Sequence, residues 1–198
     1  MSCCASGGSY PVRLTKTVRL PISDTDLKNL KAGDRLSLSG HLYVARDAAH
    51  RKIFEAMDAG KPLPFPLRGE TVFYMGPAPA KPGQIIGSAG PTTSGRMDRY
   101  TPRLLAAGLK VMVGKGSRSG EVMDSIKKYH AVYLAAIGGA GALISKSVIK
   151  CDIVAYPEFG PEAVLRLEVK DFPAVVINDI YGGDAYAEGQ AGYGRMAA

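Results

Sequence analysis

The stretch Gly87-Ser-Ala-Gly-Pro-Thr-Thr-Ser-Gly-Arg-Met-Asp98 gathers three glycines, a proline, several hydroxyls and one arginine. A loop of this composition offers backbone N–H groups, hydroxyls and a fixed cation to an anion. Two further cations occupy comparable positions. Arg46 directly follows an alternating apolar run, and Lys115 stands between two glycines at the end of another apolar run. The planar guanidinium fork matches the two oxygens of a carboxylate, so two arginines and a lysine brought together suit a small dicarboxylate. Taken one at a time, each reads equally well as a solvated surface residue. Lys115 is the exception, because flanking glycines let a ligand approach the backbone closely. Thr92 and Thr93 precede a helix start, where one of them is equally suited to N-capping. His50 falls on the helix after Arg46; lone helical histidines are usually structural. Neither His41 nor His130 is assigned a role.

Positioning such groups requires strands that deliver loops. Residues 12–20 and 35–45 alternate apolar and polar, which predicts strands with one buried face. Ser23 caps a short helix to about Leu30, and Asp47 is the expected N-cap of a helix reaching Met57, with Gly60 closing it. Arg46 thereby sits at a strand-to-helix junction, where open α/β folds place ligands. Short strands are expected at 71–74 and 84–89, the second delivering the glycine loop. A helix follows over 101–107, opened by Thr101-Pro102. Further strands are expected at 109–113 and 131–137, with a helix at 120–129 between them.

Gly138-Gly-Ala-Gly141 opens a helix-like run to Val148. Its G-G-x-G spacing is not the dinucleotide fingerprint, and close packing explains it better. Three strands, 149–155, 163–169 and 174–178, complete the pattern, separated by Pro157, Gly160-Pro161 and Pro173. Beyond Ile180 the sequence turns Gly/Ala/Tyr-rich without periodicity. The expected organisation is a flexible N-terminus over 1–10, a single domain over 11–180 and a terminal arm over 181–198. Eight or nine strands and four or five helices, with both alternating and wholly apolar strands, imply an α/β fold with mixed sheets.

Composition narrows the function classes. The 198 residues carry 25 Lys and Arg against 18 Asp and Glu. That balance suits a small acidic substrate or an acidic partner; the bases are scattered, and no nucleic-acid module is recognisable, so nucleic acid is not the expected ligand. No run approaches the roughly 20 apolar residues of a membrane span, and no secretory signal is apparent, so the expected compartment is the cytoplasm. Cys3, Cys4 and Cys151 show no C-x-x-C spacing and cannot build a disulfide framework. The expectation is that this chain holds no metal or cluster by itself.

Tyr43-Val-Ala-Arg-Asp-Ala-Ala-His50, Gly90-Pro-Thr-Thr-Ser-Gly-Arg-Met-Asp98 and Val113-Gly-Lys-Gly116 together resemble the class I, iron–sulfur fumarate hydratases. The resemblance is to their C-terminal domain, which also occurs as a separate β subunit, and to the related L-tartrate dehydratase β subunit. It runs from about Thr15 to Asn178 and includes Asp171-Phe-Pro173. It implies a three-layer swivelling β/β/α fold and reversible hydration of fumarate to L-malate. It also implies a 4Fe–4S cluster carried by the partner α subunit, with a homodimer or α2β2 assembly. Carried over by motif, Arg46 and Arg96 bind substrate carboxylates, Thr93 contributes to binding and Lys115 assists catalysis. Thr92, the first threonine of the G-P-T-T motif, is the general base. An alcohol can act so near neutral pH only if nearby cations and N–H groups stabilise its alkoxide.

Two other readings predict different behaviour. A stand-alone module for an anionic metabolite or nucleic acid would bind its ligand without a partner, with salt-dependent retention if that ligand is nucleic acid. A scaffold subunit would tolerate loss of Arg46 and Arg96.

Overall fold

A computed structural model describes residues 14–196; residues 1–10, expected to be flexible, and Cys3 and Cys4 lie outside this range. Seven strands are described: β1 (Lys16–Leu20), β2 (Arg35–Val44), β3 (Thr71–Phe73), β4 (Val111–Gly114), β5 (Val132–Ala135), β6 (Val148–Ala155) and β7 (Val164–Asn178). The α-helices are α1 (Asp24–Asn29), α2 (Asp47–Asp58), α3 (Thr101–Ala106), α4 (Gly120–Tyr129), α5 (Gly141–Ile144) and α6 (Ala185–Met196). Local chemistry starts several of them. The hydroxyls of Ser23 and Ser119 accept from the N–H groups of Asp26 and Val122, capping α1 and α4, and Pro102 occupies the first turn of α3.

Strands β1 to β5 lie side by side and all run parallel. The 15-residue β7 runs antiparallel to both β2 and β5, so β2, β3, β4, β5 and β7 close into a ring, with β6 pairing the outside of β7. Two apolar cores follow from this closure. One fills the ring and includes Leu38, Val44, Phe73, Val113, Leu134, Leu167 and Phe172. The other lies between the parallel strands and the helices, where Tyr74, Met112 and Tyr133 meet Ile53 of α2, Leu104 of α3 and Ile126 of α4. Strand, strand and helix layers result. The parallel strands β3 and β4 are buried at every position because both faces are covered.

Several expectations change. Residues 84–89 form no strand; the glycine loop is tied down by Ala78 N–H donating to Ser88 O and by a bridge between Met75 and Pro91. The two strands expected around Pro173 are one. Pro173 falls between the pairings of β7 with β6 and with β5, so a missing N–H there interrupts no ladder on that side. The N-cap of α2 is Arg46, and Asp47 is its first residue. The run after Gly141 is one helical turn followed by a 3₁₀ turn (Ser145–Ser147). Residues 185–196, expected to lack periodicity, are helical, with Tyr186 packed against the helix-side core.

Candidate active site

Parallel strands end at one edge of the sheet, and this edge collects the residues singled out by sequence. Arg46 stands two residues after β2, the glycine loop follows β3, and Lys115 follows β4. The loop is wedged between the ends of β3 and β4. Thr92 N–H donates to Tyr74 O at 2.7 Å, Lys115 N–H to Thr92 O at 3.3 Å, and Ser94 N–H to Lys115 O at 2.8 Å. Backbone pairing therefore fixes Thr92, Thr93 and Lys115 side by side. A 3₁₀ turn over Ser94–Met97 then carries Arg96 outward.

The inward side of the loop is fully occupied. Ser94 is buried; its Oγ accepts from Lys115 N–H at 3.1 Å and lies 2.9 Å from the Tyr133 hydroxyl, which donates to Gly116 O at 2.8 Å. Any Cβ at position 114 would collide with Ser94 Oγ, so only glycine lets the loop seat on β4. Burial pushes the Tyr133 phenol well above its usual range, so it remains a donor. Asp98 accepts from Arg118 Nε at 2.7 Å and from Ser119 N–H at 2.7 Å. Arg118 also donates to Thr101 Oγ1 at 2.7 Å and lies over the rings of Tyr74 and Tyr133. This network was not legible as a site; the only signal was an arginine, a serine and an aspartate within the two glycine loops.

The outward side is different. Neither Thr92 nor Thr93 hydroxyl makes a hydrogen bond to a described residue, and Thr93, at the N-cap position, makes no side-chain capping bond. Lys115 is exposed and forms no ion pair with a described residue; its stem passes over Gly138, 3.7 Å from where a Cβ would stand. Arg96 makes a two-point contact with Asp47 through Nε and a terminal nitrogen. Arg46 Nε lies 4.0 Å from the same Asp47 carboxylate, so the two guanidinium groups converge on one acid. Arg46 also donates to Glu162 at 2.7 Å. By sequence Asp47 had only a capping role and Glu162 had none.

His50 is fully buried. Its Nδ1–H donates to Arg46 O at 2.8 Å, and Nε2 has no partner among the described residues. Burial, opposed by that backbone bond, lowers its pKa to about 4, so the ring is neutral and supports the Arg46 backbone. Among the described residues no group of three or more His, Cys, Asp or Glu could hold a metal. Cys151, the single described cysteine, is half-buried on β6 with its thiol pKa raised by burial. These residues do not fit an iron–sulfur cluster.

The arrangement is open to solvent: Thr93, Arg96 and Lys115 are exposed, and Arg46 and Thr92 are partly so. A cavity of about 530 Å³ lined by Ile22, Arg68, Lys110 and Tyr129 lies at the opposite edge, beside the starts of β3 and β4. Chemically, the C-terminal edge can grip a short dianion with two guanidinium groups and an ammonium beside unspent hydroxyls. No described helix is long and apolar enough to cross a membrane.

A family model described as Fumarase C-terminus matches residues 8–189. Fumarate hydratase 2 of Leishmania major is 44% identical over 164 residues, which cover 82% of this chain and 29% of that one. Fumarate hydratase class I, aerobic, of Escherichia coli is 43% identical over 164 residues, covering 82% and 30%. The protein named "Putative L(+)-tartrate dehydratase subunit beta" of Methanocaldococcus jannaschii is 39% identical over 173 residues, covering 84% and 89%. This chain thus spans under a third of those two fumarate hydratases and most of the subunit. With a match that takes in β1 to β7 and every residue of the cationic edge, the chain belongs to the fumarase C-terminus family.

Proposed function

We propose that this chain is the β subunit of an iron–sulfur-dependent hydro-lyase that reversibly hydrates fumarate to L-malate. The observation that carries the reading is the meeting of Arg46, Arg96, Lys115, Thr92 and Thr93 at one sheet edge, supported by fumarate hydratase relatives at 43–44% identity. Arg46 and Arg96 grip the substrate carboxylates, Lys115 adds the third positive charge, and Thr93 contributes a hydroxyl to binding. Thr92 acts as general base at the substrate carbon. Its hydroxyl hydrogen-bonds to no described residue; Lys115, paired with Thr92 through the backbone, and Arg96, on the same loop, supply the positive charge that favours the alkoxide once water is excluded.

An open surface cannot exclude water, so the reading requires a covering partner. That partner is an α subunit carrying the 4Fe–4S cluster, in an α2β2 assembly, and the cytoplasm is the proposed compartment. The test is anaerobic co-expression with a cluster-bearing subunit, followed by assay on fumarate, L-malate and L-tartrate. Turnover of fumarate and L-malate supports the proposal; no dehydratase activity with any such subunit overturns it. The tartrate reading is favoured by the 89% coverage of the M. jannaschii relative, and the same assay separates the two. Anion binding by this chain alone, undiminished without a partner, would favour the stand-alone module instead.

A further inference from the structure

We infer that Glu162 is a positioning residue of the dicarboxylate site, holding the Arg46 guanidinium in the pose that receives a substrate carboxylate; the inference rests on the function proposed above. Glu162 closes a segment of two 3₁₀ turns kinked at Gly160 (Pro157–Glu162) that links β6 to β7. It is thus brought to the site by the closure of the ring and not by the strands that carry the other groups. Its Oε1 accepts from an Arg46 terminal nitrogen at 2.7 Å, and its Oε2 accepts from Ala48 N–H at 2.8 Å. Ala48 N–H belongs to the first turn of the 12-residue α2, where N–H groups have no intrahelical acceptor, and the N-cap Arg46 supplies no side-chain cap. The carboxylate is therefore anchored to the helix backbone and to the arginine together. It acts as a fixed template, not a mobile counterion.

The rest of the Arg46 environment fits that role. A Cβ at Gly76 would collide with a terminal nitrogen of Arg46 and stand 3.1 Å from Pro161 O, so the guanidinium packs against the Gly76 backbone beside the Pro161 carbonyl. Arg46 Nε is buried with no hydrogen-bond partner among the described residues, and Asp47 at 4.0 Å is beyond hydrogen-bond reach. The guanidinium is held on one nitrogen and keeps donors unspent. A free arginine would lose side-chain entropy on binding substrate; one already clamped loses less.

Simple charge accounting predicts the opposite behaviour. Glu162 places a negative charge beside the cations, so its removal should tighten binding of a dianion if charge alone mattered. The sign of the effect decides between the two. In the co-expressed holoenzyme, Glu162→Ala is expected to raise KM for L-malate and Kd for succinate about tenfold or more, with kcat kept within about threefold. Succinate retains both carboxylates and has neither the double bond nor the hydroxyl that reacts. Glu162→Gln keeps one acceptor and is expected to show a smaller rise, about threefold. A lowered KM and Kd in both variants would overturn the inference in favour of a competing carboxylate. A lowered melting temperature with KM and Kd unchanged would reduce Glu162 to a helix cap. Wild-type holoenzyme that turns over no dicarboxylate would instead overturn the function proposed above.

Discussion

Ser94 and Arg118 face one way from the paired glycine loops, and Thr93 and Arg96 face the other. The residue types match, a hydroxyl and an arginine on each side, yet their surroundings are opposite. Arg118 has a fully buried side chain and spends its nitrogens on Asp98, Thr101 and Met112. Arg96 is half exposed and, among the described residues, meets only Asp47, through one edge of its fork. Ser94 Oγ has two partners, while the Thr93 hydroxyl has none among the described residues. An arginine or hydroxyl with every donor satisfied inside the protein is scaffolding. One held at a strand end with donors left over can serve a ligand. The loop is thus a rigid base on its inner side and a binding surface on its outer side.

Substitutions that should affect one side and not the other test this contrast. The largest effect is expected from Arg118→Met, which leaves the mostly buried Asp98 carboxylate without its counter-charge, held by Ser119 N–H alone among the described residues. Chemical denaturation should show a loss of about 3–5 kcal/mol, and an unchanged midpoint would break the contrast at its inner side. Thr92→Ala should lower kcat of the holoenzyme by about a hundredfold or more while substrate affinity and unfolding free energy stay near wild type. Near-normal turnover would remove Thr92 from the chemistry.

His50 belongs with the scaffold and offers a pH test. Buried and neutral, it titrates at about 4 when folded and at the ordinary histidine value of 6.5 when unfolded. Below pH 6.5 the unfolded state binds the proton first, so the His50 contribution to stability falls as pH drops towards 4, by about 3 kcal/mol in total. Above pH 6.5 the contribution is flat. Urea titrations across this range should show the decline in wild type and a shallower one in His50→Gln; equal slopes would mean the ring charges freely when folded. The smallest free-energy change is expected from Arg96→Lys. It keeps the charge and loses the fork, so KM should rise about tenfold with stability within about 0.5 kcal/mol. A stability loss matching that of Arg118→Met would erase the distinction between the two arginines.

Much of this was legible in the sequence because it depends on neighbouring residues. The serine cap of α1, the alternation of β2 and the glycine setting of Lys115 are local signals, and the elements followed them. Arg46 and Lys115 were legible for the same reason, each lying just beyond a recognisable apolar run; Arg96 was expected after a strand at 84–89 that does not form, and its loop follows β3 instead. Pro173 misled because proline reads as a break in any strand, whereas its cost depends on whether another strand flanks it at that point. The terminal helix was missed because its glycines and alanines carry no apolar period, and Tyr186 finds its core only in the folded chain.

Residue types and local spacing were enough to determine most of the segments that become strands and helices, β7 and the terminal helix apart, and that Arg46 and Lys115 stand at strand ends. Tertiary structure alone decided what those side chains do with their hydrogen bonds. Glu162 lies 116 residues from Arg46 and Arg118 lies 20 from Asp98, separations over which sequence spacing carries no geometry. Closing β7 against β2 and β5 sets those distances. A polar group becomes scaffold or binding surface according to how many partners that closure brings within about 3 Å.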